Sequence, residues 1–338
     1  MPAINRNRLQ SLMESEQKKY VNERPKSQAL FERARKSLLG GVPMNWMVKW
    51  AGAFPPFVRE AHGAEFFDVD GHRYVDLCLG DTGAMTGHSP AATVAAAQQQ
   101  LARGITLMLP TEDAVWVGEE LQKRFGLPFW QFTLSATDAN RFSIRLARQI
   151  TGRPKILVFN WCYHGSVDEA FITLEHGIAK PRSGNVGPPV DPSVTTKVVE
   201  FNDLDALAKA LQLSDVACVL AEPALTNIGI VHPDPGFHRH LRELTRKHGT
   251  LLIIDETHTI CAGPGGYTRA ENLEPDFLVF GKPIGGGVPG ATYGFTQEVA
   301  TPLPPGTISR SATWAASAGR SRATRSHWPP CAPLSIRF

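Results

Sequence analysis

Three absences narrow the reading of this 338-residue chain. No apolar run approaches the ~20 residues that a membrane-spanning helix needs, so no membrane partner is expected. No cysteine pair shows metal-ligand spacing such as C-x2-C. The five cysteines (Cys78, Cys162, Cys218, Cys261 and Cys331) are scattered and odd in number, so reduced thiols and a cytoplasmic location are expected. Acidic residues stop early: nothing after Glu298 is Asp or Glu, while Arg310, Arg320, Arg322, Arg325 and Arg337 follow. Taking those five charges from the net +3 leaves −2 for the rest. The body is slightly acidic, and a nucleic-acid partner is not expected. Met1 to Lys26 is polar and mixed in charge, without a signal-peptide pattern.

The chain is 42% hydrophobic, enough for a full α/β core. Residues 5–39 read as amphipathic helix ending at Gly40-Gly41. "FVREAHGAEFFDVDGHRYVDLCLG" alternates apolar and polar residues around an Asp70-Gly71 turn, the pattern of a hairpin or meander. "SPAATVAAAQQQLARG" reads as a helix with a Ser-Pro start and a Gly stop. From about residue 115 strands and helices alternate. "WQFTLS", "KILVFN", "VACVLAEP", "TLLIIDE" and "DFLVFG" are short and nearly continuously apolar, and amphipathic segments separate most of them. That rhythm predicts a mostly parallel sheet covered on both faces, a three-layer α/β/α arrangement. In such sheets ligands sit at the carboxyl ends of the strands. The polar clusters fall there: Ser135–Asp138, Tyr163-His164-Gly165, Glu222-Pro223, Asp255-Glu256 and Lys282. The expected organisation is an N-terminal helix and meander over 1–80, a ligand-binding domain over 81–307, and a disordered tail over 308–338.

Asp255 and Lys282 lie 27 positions apart, each at the end of an apolar strand. A P-loop is excluded because Pro283 follows Lys282, and no G-x-G-x-x-G opens a helix after the first strand. Taken alone, Lys282 reads most simply as a salt-bridge partner. A buried carboxylate, however, must find a cation or several donors. A pyridine aldehyde joined to Lys282, its ring nitrogen facing Asp255, satisfies both residues and makes the ring an electron sink. "LSATDAN" supplies an anion site: a strand, the small residues Ser135, Ala136 and Thr137, then a helix from about Asp138. Ser135 or Thr137 can equally be a plain N-cap, and both readings can hold together. Tyr163 in "CYHG" could stack on the ring.

These motifs occur together in a known family. "SATDANRFSIRLARQITGRPKILVFNWCYHG", "AEPALTNIGI", "LLIIDETHT" and "FGKPIGGGVPGATYG" appear in order and at family spacing, as do "LLGGV" and "DVDGHRYVDL…TGHSP". Over about residues 28–307 the chain resembles class III (fold type I) pyridoxal-phosphate-dependent aminotransferases, specifically their glutamate-1-semialdehyde aminomutase-like branch. The resemblance implies pyridoxal 5′-phosphate as cofactor, a Schiff base on Lys282, and Asp255 at the pyridinium. It implies Ser135, Ala136 and Thr137 near the phosphate, Tyr163 on the ring with His164 beside it, and Glu222 and Asn227 at the cofactor's polar edge. It further implies an amine or amino acid and a keto acid as small-molecule partners, and a homodimer. The expected reaction is transamination; an aminomutase and an inactive cofactor-binding remnant are the alternatives.

Departures from the pattern concern the substrate. Where the family has Val after the acid pair, Thr257 and His258 stand here. After "GGV", relatives carry a Ser or Arg that meets a substrate carboxylate; this chain has Pro43-Met44-Asn45-Trp46-Met47, and Trp46 suggests a more apolar pocket. The family also continues past the lysine with a segment like "GGTLAGNALS" and a small domain. Here "AASAGRSRATRSHWPPCAPLS" stands instead. It can be back-translated with GC-rich codons so that reading two bases later gives the family's segment. A frameshift between about Thr301 and Trp314, a largely missing C-terminal domain and weakened turnover are therefore expected.

Overall fold

A computed structural model describes residues 4–187 and 190–303. The expected tail over 308–338 lies outside the described residues. The described residues form two compact units: 4–115 with 281–291, and 116–187 and 190–280 with 292–303.

In the first unit, helices α1 (Arg6–Glu23) and α2 (Pro25–Ala34) precede a meander of β1 (Val58–His62), β2 (Glu65–Asp68) and β3 (Arg73–Val75); helix α3 (Ala91–Arg103) follows. The three strands pair antiparallel in the order β1-β2-β3. The Asp70-Gly71 turn forms as expected, with Gly71 at φ +96°, a conformation open to glycine. Its acid also anchors the helix: the Asp70 carboxylate accepts from Lys26 N at 2.7 Å and Ser27 N at 2.9 Å, capping the first turn of α2. Asp68, fully buried, accepts from the backbone of Asp70 and His72 and from the Tyr74 hydroxyl.

The second unit is built on a seven-stranded sheet. Its strands are β4 (Phe129–Thr133), β5 (Lys155–Phe159), β8 (Thr196–Val199), β9 (Val216–Ala221), β10 (Leu251–Asp255), β11 (Phe277–Phe280) and β12 (Ala291–Phe295), in the order β4-β12-β11-β10-β9-β5-β8. The pairs from β11 through β10, β9 and β5 to β8 are parallel; β12 runs antiparallel to β11. All six residues of β9 and all four of β11 are buried, as strands covered on both faces require. Helices α4 (Glu112–Phe125), α5 (Ala136–Thr151), α6 (Pro192–Thr195), α7 (Leu204–Leu211), α8 (Phe237–His248), α9 (Gly266–Ala270) and α10 (Gln297–Ala300) lie between the strands or beyond the last of them. Helix α5 turns Ala139, Asn140, Ser143, Ile144, Leu146 and Ala147 inward, a stripe at three- and four-residue spacing, and packs on β4, β9, β10 and β11. No helix among the described residues is long and apolar enough to cross a membrane.

Three strand features escape the sequence pattern. Strands β6 (Ile172–Glu175) and β7 (Ile178–Pro181) form a separate hairpin whose His176-Gly177 turn has both φ values positive, the geometry that two-residue hairpin loops favour. Strand β8 is a four-residue edge strand. Strand β12 is five residues long and follows a run of glycines; its own Gly294 is needed because a Cβ there would meet the Trp130 ring at 2.7 Å.

Candidate active site

In the second unit the predicted clusters gather at the carboxyl ends of the strands. Asp255, last residue of β10, is 4% exposed. Its Oδ1 accepts from Thr257 N at 3.0 Å and from the Thr257 hydroxyl at 2.6 Å. Its Oδ2 accepts from Asn140 Nδ2 at 2.8 Å and pairs with His164 Nδ1 at 2.9 Å. Burial works against ionising this acid. The His164 ring, Thr257 and Asn140 outweigh it and lower the pKa below the ordinary value. Burial likewise works against a charged His164 ring. The Cys162 sulfur and the Asp255 carboxylate prevail, and the His164 pKa stands well above its ordinary value. Both shifts favour the charged forms of this buried pair, which lies at the carboxyl end of β10.

Thr257, where the resembling family packs an aliphatic side chain, therefore bonds to Asp255 through its hydroxyl. Glu256 does other work. Its oxygens accept from Tyr267 N at 2.6 Å and Thr268 N at 2.7 Å, which ties down the start of α9. A Cβ on Gly266 would strike that carboxylate. His258 is half-buried.

Ser135 is the N-cap of α5: its hydroxyl accepts from Asp138 N at 3.2 Å, and the helix begins at Ala136, two residues before the expected start. The first-turn N–H groups of Ala136 and Thr137 have no carbonyl acceptor within the helix, the condition under which a helix start can receive an anion. The Thr137 hydroxyl accepts from Ser166 N at 3.1 Å, which joins this turn to the loop after β5. Gly165, at φ +73°, makes that approach possible, since a Cβ there would overlap Thr137 Oγ1. Gly165→Ala is expected to break the junction and lower stability by about 1–3 kcal/mol; urea denaturation measures it.

Tyr163 is 44% exposed, and its backbone N–H donates to Glu222 Oε1 at 3.2 Å. Glu222 Oε2 accepts from the Thr226 hydroxyl at 2.6 Å and from Thr226 N at 3.2 Å. Burial raises the Glu222 pKa, against the pull of the His164 charge and Thr226. Exposed Asn227 donates its amide to the Trp161 carbonyl at 3.3 Å.

In the first unit, Lys282 opens a short 3-10 turn (Lys282–Gly285) at φ +48°. Its Nζ lies 2.8 Å from Asp81 Oδ2. Asp81 belongs to four consecutive left-handed residues, Leu79, Gly80, Asp81 and Thr82. For the non-glycine members that conformation costs roughly 1–2 kcal/mol each. Asp76 holds the turn by accepting from Cys78 N at 3.0 Å and Gly80 N at 2.8 Å. Trp46 is 58% exposed on the turn Asn45–Val48. Along the chain Lys282 is the second residue beyond β11, and β11 is the register neighbour of β10, with Val279 opposite Asp255.

Sequence reasoning missed Asn140, whose amide bonds to Asp255. Asn140 carried a signal, a polar side chain on the apolar stripe of α5.

The arrangement suits a phosphorylated cationic ring: a buried acid whose shift favours its charged form, a helix start with open N–H groups and a half-exposed aromatic, all at one end of the sheet. Comparison with known proteins agrees. The family model described as Aminotransferase class-III matches residues 47–324. The glutamate-1-semialdehyde 2,1-aminomutase of Methanosphaera stadtmanae is 38% identical over 297 residues, 86% of this chain and 69% of that protein. The crystal structure of a glutamate-1-semialdehyde aminomutase from Pseudomonas aeruginosa PAO1 superposes with a TM-score of 0.86 at 48% identity, covering 96% of this chain and 70% of that one. A lysine-to-alanine variant of the latter is known in complex with PMP. An omega-transaminase from Sphaerobacter thermophilus gives a TM-score of 0.77 at 33% identity, over 82% of this chain and 66% of that one.

Proposed function

Because the chain belongs to the class III aminotransferases, pyridoxal-phosphate-dependent enzymes, we propose that it moves an amino group from an amine or amino-acid donor to a keto acceptor through Lys282. The observation that carries this reading is the buried Asp255 carboxylate, kept ionised by His164, Asn140 and Thr257. An acid held in that state is what a protonated ring nitrogen needs.

Each side chain then has one task. When bound, the cofactor supplies an electron sink for the carbon that bears the amino group. Asp255 holds a proton at the ring nitrogen. All four of its acceptor positions are taken by neighbours, and the Thr257 hydroxyl is the donor that can rotate aside for the ring. The Ala136 and Thr137 N–H groups and the α5 dipole hold the phosphate. Tyr163 would offer its half-exposed ring to the cofactor, and Glu222 and Asn227 would supply polar contacts to it. The Lys282 amine would hold the cofactor and would serve as general base and acid for the proton at the substrate carbon.

The aminomutase reading is favoured by the names of the relatives. A panel of donors assayed with and without an added keto acceptor separates the two. Turnover that requires the acceptor supports transamination, and isomerisation of a single substrate without acceptor replaces it with the aminomutase. Cofactor uptake without turnover on any donor leaves the binding-only remnant.

A further inference from the structure

Trp161 holds a backbone conformation that costs free energy. It lies two residues past the end of β5 at φ +64°, a left-handed value that is an outlier for a bulky residue. Such strain persists where the surroundings over-determine it, and it concentrates at ligand sites. Here the surroundings are visible: the Trp161 carbonyl accepts from Asn227, and its neighbour Cys162 is fully buried. The indole itself is 43% exposed. The guanidinium of Arg182, just past β7, stands over that ring, 5.6 Å from its centre. The Arg182 guanidinium donates a long 3.4 Å bond to the Ile172 carbonyl; its buried Nε has no partner, and among the described residues no carboxylate pairs with it.

We propose that Trp161 and Arg182 form the substrate-recognition corner of this site. Arg182 takes the carboxylate and the indole takes the side group of an aryl-bearing amino acid and its keto acid. The inference rests on the transaminase reading for its purpose and on the second unit alone for its geometry. It supplies the cation that residues 43–47 do not offer. A guanidinium matches a carboxylate in shape and charge, and an adjoining aromatic face adds apolar contact.

The test uses the full chain and 3-phenylpropanoate as probe, first without cofactor. Indole N–H signals are followed by NMR, and Trp161→Phe assigns the one that matters. The probe is expected to shift that signal saturably. Arg182→Gln, or the uncharged 3-phenylpropanol in place of the acid, should weaken binding about tenfold. Trp161→Gly should weaken binding as well yet melt at or above the parent temperature, because glycine adopts the left-handed backbone freely. A Trp161 signal unmoved at millimolar probe, or equal binding of acid and alcohol, overturns the proposal. Titration with pyridoxal phosphate is a separate arm. If it fails while 3-phenylpropanoate binds, the transaminase reading falls and the corner stands; if it succeeds while the probe does not bind, the reverse holds.

Discussion

Asp255→Ala is expected to cost about 3–5 kcal/mol of stability, the loss that follows when one partner of a buried ion pair is removed. The substitution leaves the enclosed His164 ring without its counter-ion and the Asn140 amide with only the long 3.4 Å bond to the His164 carbonyl. Cofactor retention should fail in the same variant. Asp255→Asn keeps the shape and part of the hydrogen bonding; it should lose less stability but equally fail to hold a proton at a ring nitrogen. The stability loss carries a pH signature. The Asp255 pKa is lowered in the fold, so its contribution is present above the unfolded value of 3.8 and is lost as pH falls through the folded one. The His164 pKa is raised, so its contribution is complete below 6.5 and is lost as pH rises through the folded value. The gap between parent and Asp255→Ala should therefore be widest from about pH 4 to 6.5 and narrow on both sides. Urea titrations across that range measure it. A gap independent of pH would show that the pair is not charged as described.

Lys282→Ala should behave in the opposite way. Its ion pair with Asp81 is partly exposed, 23% on the lysine and 65% on the acid, and such pairs contribute about 0–1 kcal/mol. Stability should stay within about 1 kcal/mol of the parent. Turnover should fall by about 10³-fold or more, since in the proposed mechanism the residue that holds the cofactor also moves the proton. The contrast is diagnostic of the proposed roles, in which Asp255 serves both fold and site and Lys282 serves mainly the site. Denaturation and initial rates on the same preparations separate the two effects.

The legible part of this molecule was the part that repeats locally. Apolar strands β9, β10 and β11 and the amphipathic α5 announced themselves by composition and spacing, and the strand ends placed Asp255, Glu222 and Tyr163 correctly at one end of the sheet. Less legible was what depends on partners distant in sequence. Asn140 and Asp255 are 115 residues apart and meet only because α5 packs on β10. Glu256 read as half of an acid pair, yet it caps α9 eleven and twelve residues later. The junction of Thr137 and Gly165 depends on a backbone φ that the letters do not display. Strand β12 was hidden for the opposite reason: five residues beside a glycine run give too short a pattern to declare a strand.

The central claim is that the amine of Lys282 bonds covalently to the cofactor. Incubation of the full chain with pyridoxal 5′-phosphate, reduction with borohydride, and peptide mapping by mass spectrometry tests it most directly. The account predicts one phosphopyridoxyl label, on Lys282, absent from Lys282→Ala and diminished in Asp255→Ala. A label spread over surface lysines, or retained in Lys282→Ala at the parent's level, would contradict it.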